Sequence, residues 1–295
     1  MSLCGGGCGM KVGEASRTAW AAAVFRASHQ VVDGGRVFAD PLAVRLVERR
    51  PRDQALIDPE APGSRAIRLF LAGRSRFTED ALAGAVRAGV RRVVVLGAGL
   101  DTFAYRNPFP DVRVVEVDHP DTQAWKRELL AEAGIAVPES VAYAGIDFEK
   151  QSLTDVLPGE RSFFVWLGVV PYLNRAGFDE TLRYVAGVPG SEVVFDYTMP
   201  PSSMPAADRA ALEDQAKRAA SVDEPFRTYF RPEDLATVLR AGGFGKLDDI
   251  GPHEMAARWF EPRDAVPTGT PGGHVVHAVT RELESPVPAE SWCRC

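Results

Sequence analysis

Residues 91–101, Arg-Arg-Val-Val-Val-Leu-Gly-Ala-Gly-Leu-Asp, decide the fold of this chain. The unbroken apolar run from Val93 to Leu96 contains three β-branched residues and predicts a strand buried on both faces, as in a parallel sheet covered by helices. Gly97 and Gly99 follow at its carboxyl end, where glycine lets the backbone turn sharply and approach a ligand closely. The stretch is therefore the first candidate for a cofactor site.

Strand and helix patterns alternate after this stretch. Further buried strands are predicted at 112–118, 140–144, 162–167 and 192–197. Helices are predicted between them at 121–133, 153–157 and 175–185. Such alternation indicates βαβ units and a mainly parallel sheet. The last strand candidates, 246–250 and 274–280, could pair antiparallel at the sheet edge, so the predicted fold class is α/β with seven strands.

Helical patterns also flank this sheet. Ahead of it, helices are predicted over 19–27 with Ser16 or Thr18 as cap, from Pro41 with Asp40 as cap, and over 64–71 and 74–87. Residues 200–230 open with prolines and turn helical over 206–220, which predicts an insertion over the carboxyl edge of the sheet. We expect a disordered leader (1–13), a single domain (14–282) and a loose tail (283–295). The domain would comprise N-terminal helices (14–90), a cofactor-binding core (91–199), the lid insertion (200–230) and the rest of the core (231–282).

Composition excludes several classes of protein. Of 295 residues, 45% are hydrophobic and 25% are charged, as in ordinary globular proteins. The net charge of −6 offers no basic excess for nucleic acid. No apolar run approaches the ~18 residues of a membrane-spanning helix, and no signal-peptide pattern opens the chain, so a cytoplasmic location is expected. Because Cys4, Cys8, Cys293 and Cys295 have poor zinc spacing, no metal site is predicted.

Carboxylates follow the second and third predicted strands. Asp118 stands 19 residues beyond Gly99, where a carboxylate can accept hydrogen bonds from both hydroxyls of a ribose, although it could instead cap the next helix. Asp147 and Phe148 could hold an adenine ring through its exocyclic amine and its face, or Asp147 could cap the next turn. The third glycine of the dinucleotide fingerprint is replaced by Thr102, which argues against NAD or FAD.

Together these motifs resemble the leucine carboxyl methyltransferase-like family, which includes many bacterial O-methyltransferases of secondary metabolism. The resemblance rests on Asp-Pro-Leu-Ala (40–43), Arg-Ser-Arg-Phe (74–77), Leu-Gly-Ala-Gly-Leu-Asp-Thr-Phe-Ala-Tyr-Arg (96–106), Glu-Val-Asp-His-Pro (116–120), Trp-Leu-Gly-Val-Val-Pro-Tyr-Leu (166–173) and Glu-Pro-Phe-Arg-Thr-Tyr-Phe (224–230). It implies a Rossmann-like class I methyltransferase fold with S-adenosylmethionine as cofactor.

The resemblance also implies roles for individual residues of the cofactor site. Gly97 and Gly99 would lie along the methionine part, Asp118 would bind the ribose, and Asp147 with Phe148 would hold the adenine. Arg74 would pair with the methionine carboxylate, whereas its position alone would suggest a solvated helix charge. Leu167 stands where many relatives have Glu, so a polar contact is expected to be absent or replaced there.

The expected reaction is in-line attack of an acceptor on the sulfonium methyl group, which the protein aligns and desolvates. A carboxylate acceptor needs no general base, whereas a phenol would gain from one. His29, Tyr172 and His253 are weak candidates for that base. Arg227 and Tyr172 are candidates for binding the acceptor.

The acceptor is predicted to be a small, polyketide-like metabolite or a peptide terminus, methylated on a carboxyl or hydroxyl group. Two alternatives stay open at this point. One is an NAD-dependent oxidoreductase on a Rossmann fold, and the other is a non-catalytic S-adenosylmethionine-binding protein.

Overall fold

The computed structural model describes residues 16–49, 58–59, 61, 63–147, 150–261 and 272–281. Its helices are α1 (Arg17–Val32), α2 (Pro41–Val47), α3 (Ser64–Arg87), α4 (Pro120–Glu132), α5 (Leu153–Val156), α6 (Arg175–Ala186), α7 (Ala206–Ala220), α8 (Pro232–Ala241) and α9 (Pro252–Trp259). Its strands are β1 (Arg92–Leu96), β2 (Arg113–Asp118), β3 (Val141–Gly145), β4 (Phe163–Trp166), β5 (Glu192–Thr198), β6 (Phe244–Ile250) and β7 (Gly273–Thr280). The predicted leader, the predicted tail and the four cysteines lie outside the described residues.

The described strands form one seven-stranded sheet in the order β3-β2-β1-β4-β5-β7-β6. Strands β1 to β5 pair in parallel, and β7 runs antiparallel to both β5 and β6. The α/β class, the mainly parallel seven-stranded sheet and the antiparallel pairing of the last two strands are thus confirmed. The insertion of β7 between β5 and β6 was not evident from the sequence pattern.

Apolar side chains of β1 face both ways, as a doubly covered strand requires. Val94 belongs to a buried cluster that includes Phe178 of α6. Its neighbour Val95 belongs to the cluster on the other face, which includes Phe77 of α3. Because both faces of the sheet are covered by helices, a ligand can reach its central strands only at the ends of those strands.

The helices ahead of the sheet begin at their predicted caps. The Ser16 hydroxyl accepts a hydrogen bond from Ala19 N over 3.1 Å at the start of α1. Asp40 Oδ1 accepts one from Ala43 N over 3.2 Å at the start of α2, with Pro41 in the first helical position.

Helix α3 corrects the prediction of two separate segments at 64–71 and 74–87, because it continues through Gly73. A Cβ atom at position 73 would lie 2.1 Å from Met255 Sδ of α9. Glycine is therefore required here for the close approach of another helix and does not end this one. Helix α9 itself, Pro252–Trp259, was not predicted.

Candidate active site

The carboxyl edge of the sheet opens into a cleft of about 1910 Å³. It is lined by the ends of β1, β4 and β5, by residues of α1 and α3, and by residues between 215 and 227 after β5. Pockets for one small ligand rarely exceed about 1,000 Å³. This cleft therefore has room for a second ligand beside a nucleoside cofactor.

The turn after β1 is built on its two glycines. Gly97 has φ +62° and Gly99 has φ +43°, a region that L side chains rarely adopt. A Cβ atom at position 97 would lie 2.5 Å from Val169 Cγ2, and one at position 99 would lie 3.1 Å from Ala19 Cβ. The glycines thus allow both the conformation and the close packing of the loop after β4 and of α1.

Asp118 ends β2 directly beside this turn. Its Oδ2 accepts a hydrogen bond from Gly99 N over 2.6 Å, and its Oδ1 accepts one from His119 N over 2.7 Å. Burial raises the pKa of this carboxyl group, and the two backbone hydrogen bonds oppose the rise. The cap of α4 is His119, whose side chain accepts from Asp121 N. Helix capping therefore does not account for Asp118, and its carboxylate retains acceptor capacity toward the cleft.

Arg74 lies in the cleft as a buried cation. Its Nη1 is 2.5 Å from Asp196 Oδ2, and both side chains are less than a tenth exposed. The other oxygen of Asp196 accepts a hydrogen bond from Gly168 N over 2.5 Å. The alternative of a solvated helix charge is thus wrong for Arg74. Asp196 is not among the residues predicted for the site, although its position as a carboxylate inside a fully buried strand is a signal in the sequence.

Asp147 follows β3 but does not line the cleft in the part of the chain that the structure describes. Its Oδ2 lies 2.7 Å from Lys150 Nζ, and its backbone N–H donates to Gln151 Oε1 over 3.2 Å. Gln151 lines the cleft, whereas Phe148 lies outside the described residues. The adenine contacts of Asp147 and Phe148 therefore stay predictions.

Residues 19–186 match the protein-family model of leucine carboxyl methyltransferase.

The chain belongs to the leucine carboxyl methyltransferase family.

Membership of this family makes the chain an S-adenosylmethionine-dependent methyltransferase. Two relatives extend the match over most of the chain. YktD of Bacillus subtilis, provisionally named an S-adenosyl-L-methionine-dependent methyltransferase, is 26% identical over 307 residues, which cover 92% of this chain and 100% of that protein. A Parafrankia protein with the same provisional name is 31% identical over 288 residues, which cover 93% of this chain and 83% of that protein.

Solved structures support the fold of the methyltransferase. A possible exported protein from Bordetella parapertussis has a TM-score of 0.50 and 16% identity, covering 92% of this chain and 100% of that one. The CurJ carbon methyltransferase has a TM-score of 0.50 and 12% identity, covering 90% of this chain and 68% of that one. At such identities the likeness concerns the fold alone.

The polar groups of the cleft fit S-adenosylmethionine. Arg74 Nε is buried and has no hydrogen-bond partner among the described residues, so a ligand carboxylate would satisfy it. Asp118 has unused acceptor capacity for ribose hydroxyls. Arg74 and Asp118 both line the cleft of the methyltransferase, as do Gly97 and Gly99.

The acceptor candidates Tyr172 and Arg227 also line this cleft. The Tyr172 ring packs edge-to-face on Phe226 with 5.2 Å between ring centroids. Burial, with the negative charge of Glu224 nearby, raises the pKa of Tyr172 to about 12. Glu224 accepts a hydrogen bond from the Thr18 hydroxyl, which joins the start of α1 to the segment after α7. Tyr172 is therefore protonated at neutral pH and can donate a hydrogen bond to a bound oxygen.

Neither candidate histidine lies in the cleft of the methyltransferase. His29 is buried, and its Nδ1 lies 3.0 Å from Asp33 Oδ2. Burial lowers the pKa of His29, so it remains a neutral structural group. His253 is exposed on α9. The expectation that these two residues reach the reaction centre is thus corrected.

Leu167 lines the cleft beside Gly168, which has φ +71°. The apolar side chain offers no hydrogen bond at the position where, by the resemblance described above, many relatives have Glu. Within the described residues, no group of three or more His, Cys, Asp or Glu side chains is arranged to hold a metal ion. Among the same residues, no helix has both the length and the apolar character needed to cross a membrane.

Proposed function

We propose that this methyltransferase methylates an oxygen atom, either a carboxylate or a hydroxyl, of a small polyketide-like metabolite or of a peptide terminus. The observation that carries the proposal is the cleft, in which the buried Arg74 and Asp118 lie together with space for a second ligand. The family description names a carboxyl group as the acceptor, which supports oxygen as the methylated atom.

In this proposal each residue at the carboxyl edge of the sheet binds one part of the cofactor. Arg74 pairs with the methionine carboxylate, and Gly97 and Gly99 border the methionine part. Asp118 accepts hydrogen bonds from the ribose hydroxyls, and the loop of Asp147 and Phe148 holds the adenine. Leu167 contributes an apolar surface at the cofactor, which excludes water from its neighbourhood.

The cofactor supplies an electrophilic methyl group when it is bound. The protein aligns the acceptor with it and removes water from the approach. A carboxylate, with a pKa of about 4, is ionised at neutral pH and needs no general base. Tyr172 donates a hydrogen bond that orients the acceptor oxygen, and Arg227 attracts acidic acceptors to the cleft entrance.

Residues 200–230 act as the lid of this cleft in the same proposal. Helix α7 occupies the bounds expected for the helical part of that segment, Ala206–Ala220, and residues 221–227 line the cleft. A role in secondary metabolism and a cytoplasmic location stay predictions from the sequence.

The direct test is methyl transfer from isotope-labelled S-adenosylmethionine to a panel of carboxylic acids, phenols, amines and thiols. We expect label on oxygen acceptors. Alkaline hydrolysis then distinguishes the two forms of the proposal, because methyl esters release labelled methanol and methyl ethers do not. Label only on nitrogen, sulfur or carbon would contradict the proposal, and cofactor binding without any transfer would favour a non-catalytic binding protein.

A further inference from the structure

Several residues that line the cleft carry buried polar atoms without a hydrogen-bond partner. Among the described residues, five buried side-chain nitrogen or oxygen atoms have no hydrogen-bond partner. Two of them, Arg26 Nε and Asp40 Oδ2, lie 3.2 Å apart and stabilise each other as an ion pair. The other three are Trp20 Nε1, Arg74 Nε and Thr122 Oγ1, and all three residues line the cleft. Since a buried polar atom without a partner is costly, this distribution points to a ligand that supplies the partners.

Arg74 already has a place in the proposed cofactor site, but Trp20 and Thr122 do not. Trp20 stands in the first turn of α1 and is 6% exposed. Its neighbour Ala19 packs on the glycine turn, since a Cβ atom at Gly99 would lie 3.1 Å from Ala19 Cβ. The same Gly99 donates its N–H to Asp118. The start of α1 therefore lies directly over the proposed ribose site.

Thr122 approaches the same place from the other side. It lies four residues after Asp118, in the first turn of α4, and is 2% exposed. One turn further along α4, Trp125 contacts the ring of Trp20 with 6.0 Å between ring centroids. This aromatic contact joins the first turn of α1 to the second turn of α4. Trp20 and Thr122 therefore belong to two packed elements that both border Asp118.

We propose that the indole N–H of Trp20 and the hydroxyl of Thr122 hydrogen-bond to the nucleoside half of S-adenosylmethionine. An indole N–H can only donate, so Trp20 binds a ribose oxygen or an adenine ring nitrogen. A hydroxyl donates and accepts, so Thr122 can bind either kind of nucleoside atom. The N-terminal helix then belongs to the cofactor site itself. The inference rests on the proposed placement of the ribose at Asp118.

The test measures ligand affinity by titration calorimetry with two compounds. S-adenosylhomocysteine contains both halves of the cofactor, and 5′-methylthioadenosine contains the nucleoside without the amino acid. We expect Trp20→Phe and Thr122→Val each to lower the affinity for both ligands by about tenfold, which is the effect of one lost hydrogen bond. Thr122→Val keeps the shape of the side chain and removes only the hydroxyl group. Trp20→Phe removes the indole N–H together with one ring of a side chain that packs in a buried cluster.

Trp125→Phe is the matched control, since it removes an indole N–H from the same aromatic pair at a residue that does not line the cleft. We expect its affinity for both ligands to match that of the wild type. The melting temperature of the ligand-free Thr122→Val protein should be unchanged or raised, because it loses an unsatisfied polar atom. Trp20→Phe also loses buried packing and should melt below the wild type, so its affinity is compared with that of Trp125→Phe, which loses the same atoms.

Wild-type affinity of both variants for S-adenosylhomocysteine would overturn the inference. A loss of affinity for S-adenosylhomocysteine alone, with unchanged affinity for 5′-methylthioadenosine, would also overturn the inference. The contacts would then belong to the amino-acid half of the cofactor. Failure of the proposed function would give a different result. The wild-type protein would then bind S-adenosylhomocysteine but methylate no oxygen acceptor.

Discussion

Asp40 Oδ1 accepts a hydrogen bond of 2.7 Å from the hydroxyl of Thr102, a residue 62 positions further along the chain. The same carboxylate caps α2 and lies 3.2 Å from Arg26 Nε and 3.4 Å from Arg106 Nε. Asp40 is completely buried. It therefore joins two N-terminal helices to the loop that follows the glycine turn, and so holds that turn in place.

Replacing Asp40 by Ala should reduce the free energy of unfolding by about 3 kcal/mol, because the buried Arg26 and the partly buried Arg106 lose their shared carboxylate. Urea denaturation measures this change. The control is Asp80→Ala, which removes an exposed partner of Arg76 within α3 and should cause little change. Equal stabilities of the two variants would contradict the structural role of Asp40.

Gly73 and Gly84 allow a matched comparison within one helix. Gly73→Ala should destabilise the protein by about 1–3 kcal/mol, because the new methyl group would overlap Met255. Gly84→Ala should stabilise it by about 0.5–1 kcal/mol, since only the far end of Arg87, at 3.9 Å, lies near its Cβ position. Thermal unfolding of both variants checks the opposite signs, and stabilisation by Gly73→Ala would refute the packing argument.

Asp118→Ala should lower the affinity for S-adenosylhomocysteine by roughly tenfold to a hundredfold while the fold remains intact. The reason is that the ribose loses hydrogen bonds to a charged group. Calorimetry measures the affinity, and circular dichroism the fold. Asp121→Ala is the control, as this carboxylate lies three residues further along the chain, in the first turn of α4, and does not line the cleft. Unchanged affinity of Asp118→Ala would refute the ribose assignment.

Arg74→Lys keeps a cation beside Asp196 but loses the forked geometry that suits a carboxylate. We expect about tenfold weaker binding of S-adenosylhomocysteine and unchanged binding of 5′-methylthioadenosine, which has no carboxylate. Arg76→Lys, two residues further along α3 and exposed, should affect neither ligand. Equal losses for both ligands in Arg74→Lys would assign Arg74 to a different part of the cofactor.

The pH dependence of methyl transfer tests the role of Tyr172. Burial raises the pKa of this phenol to about 12, so it loses its proton only well above the ordinary value of about 10. Profiles of kcat/KM between about pH 6 and pH 9 should therefore have the same shape in the wild type and in Tyr172→Phe. An alkaline rise in the wild type that the variant lacks would identify Tyr172 as a general base, against this expectation.

The sequence contained most of the information about the sheet, because buried strands are apolar runs ended by glycine or by a charged residue. The edge position of Asp118 followed from the same pattern. The continuity of α3 could not be predicted, since the role of Gly73 depends on Met255, which is remote in the sequence. The packing of α1 on the glycine turn also depends on contacts that no local pattern reveals.

Candidate site residues were harder to predict than strands. His29 and His253 were chosen for their chemistry, but the residue type does not determine whether a side chain reaches the cleft. His29 instead bonds to Asp33, which also pairs with Arg68 Nε at 2.6 Å. Asp196 was overlooked because its ion pair with Arg74 spans 122 positions.

The order of the strands has a consequence for biosynthesis. Strand β7 lies between β5 and β6 but follows both along the chain. As the polypeptide leaves the ribosome, the parallel strands β1 to β5 can pair in turn, whereas β6 and the outer edge of β5 have no partner before residues 273–280 emerge. Because unpaired edges promote aggregation, the nascent chain is most vulnerable in this interval. The sheet is completed only when translation reaches its last strand.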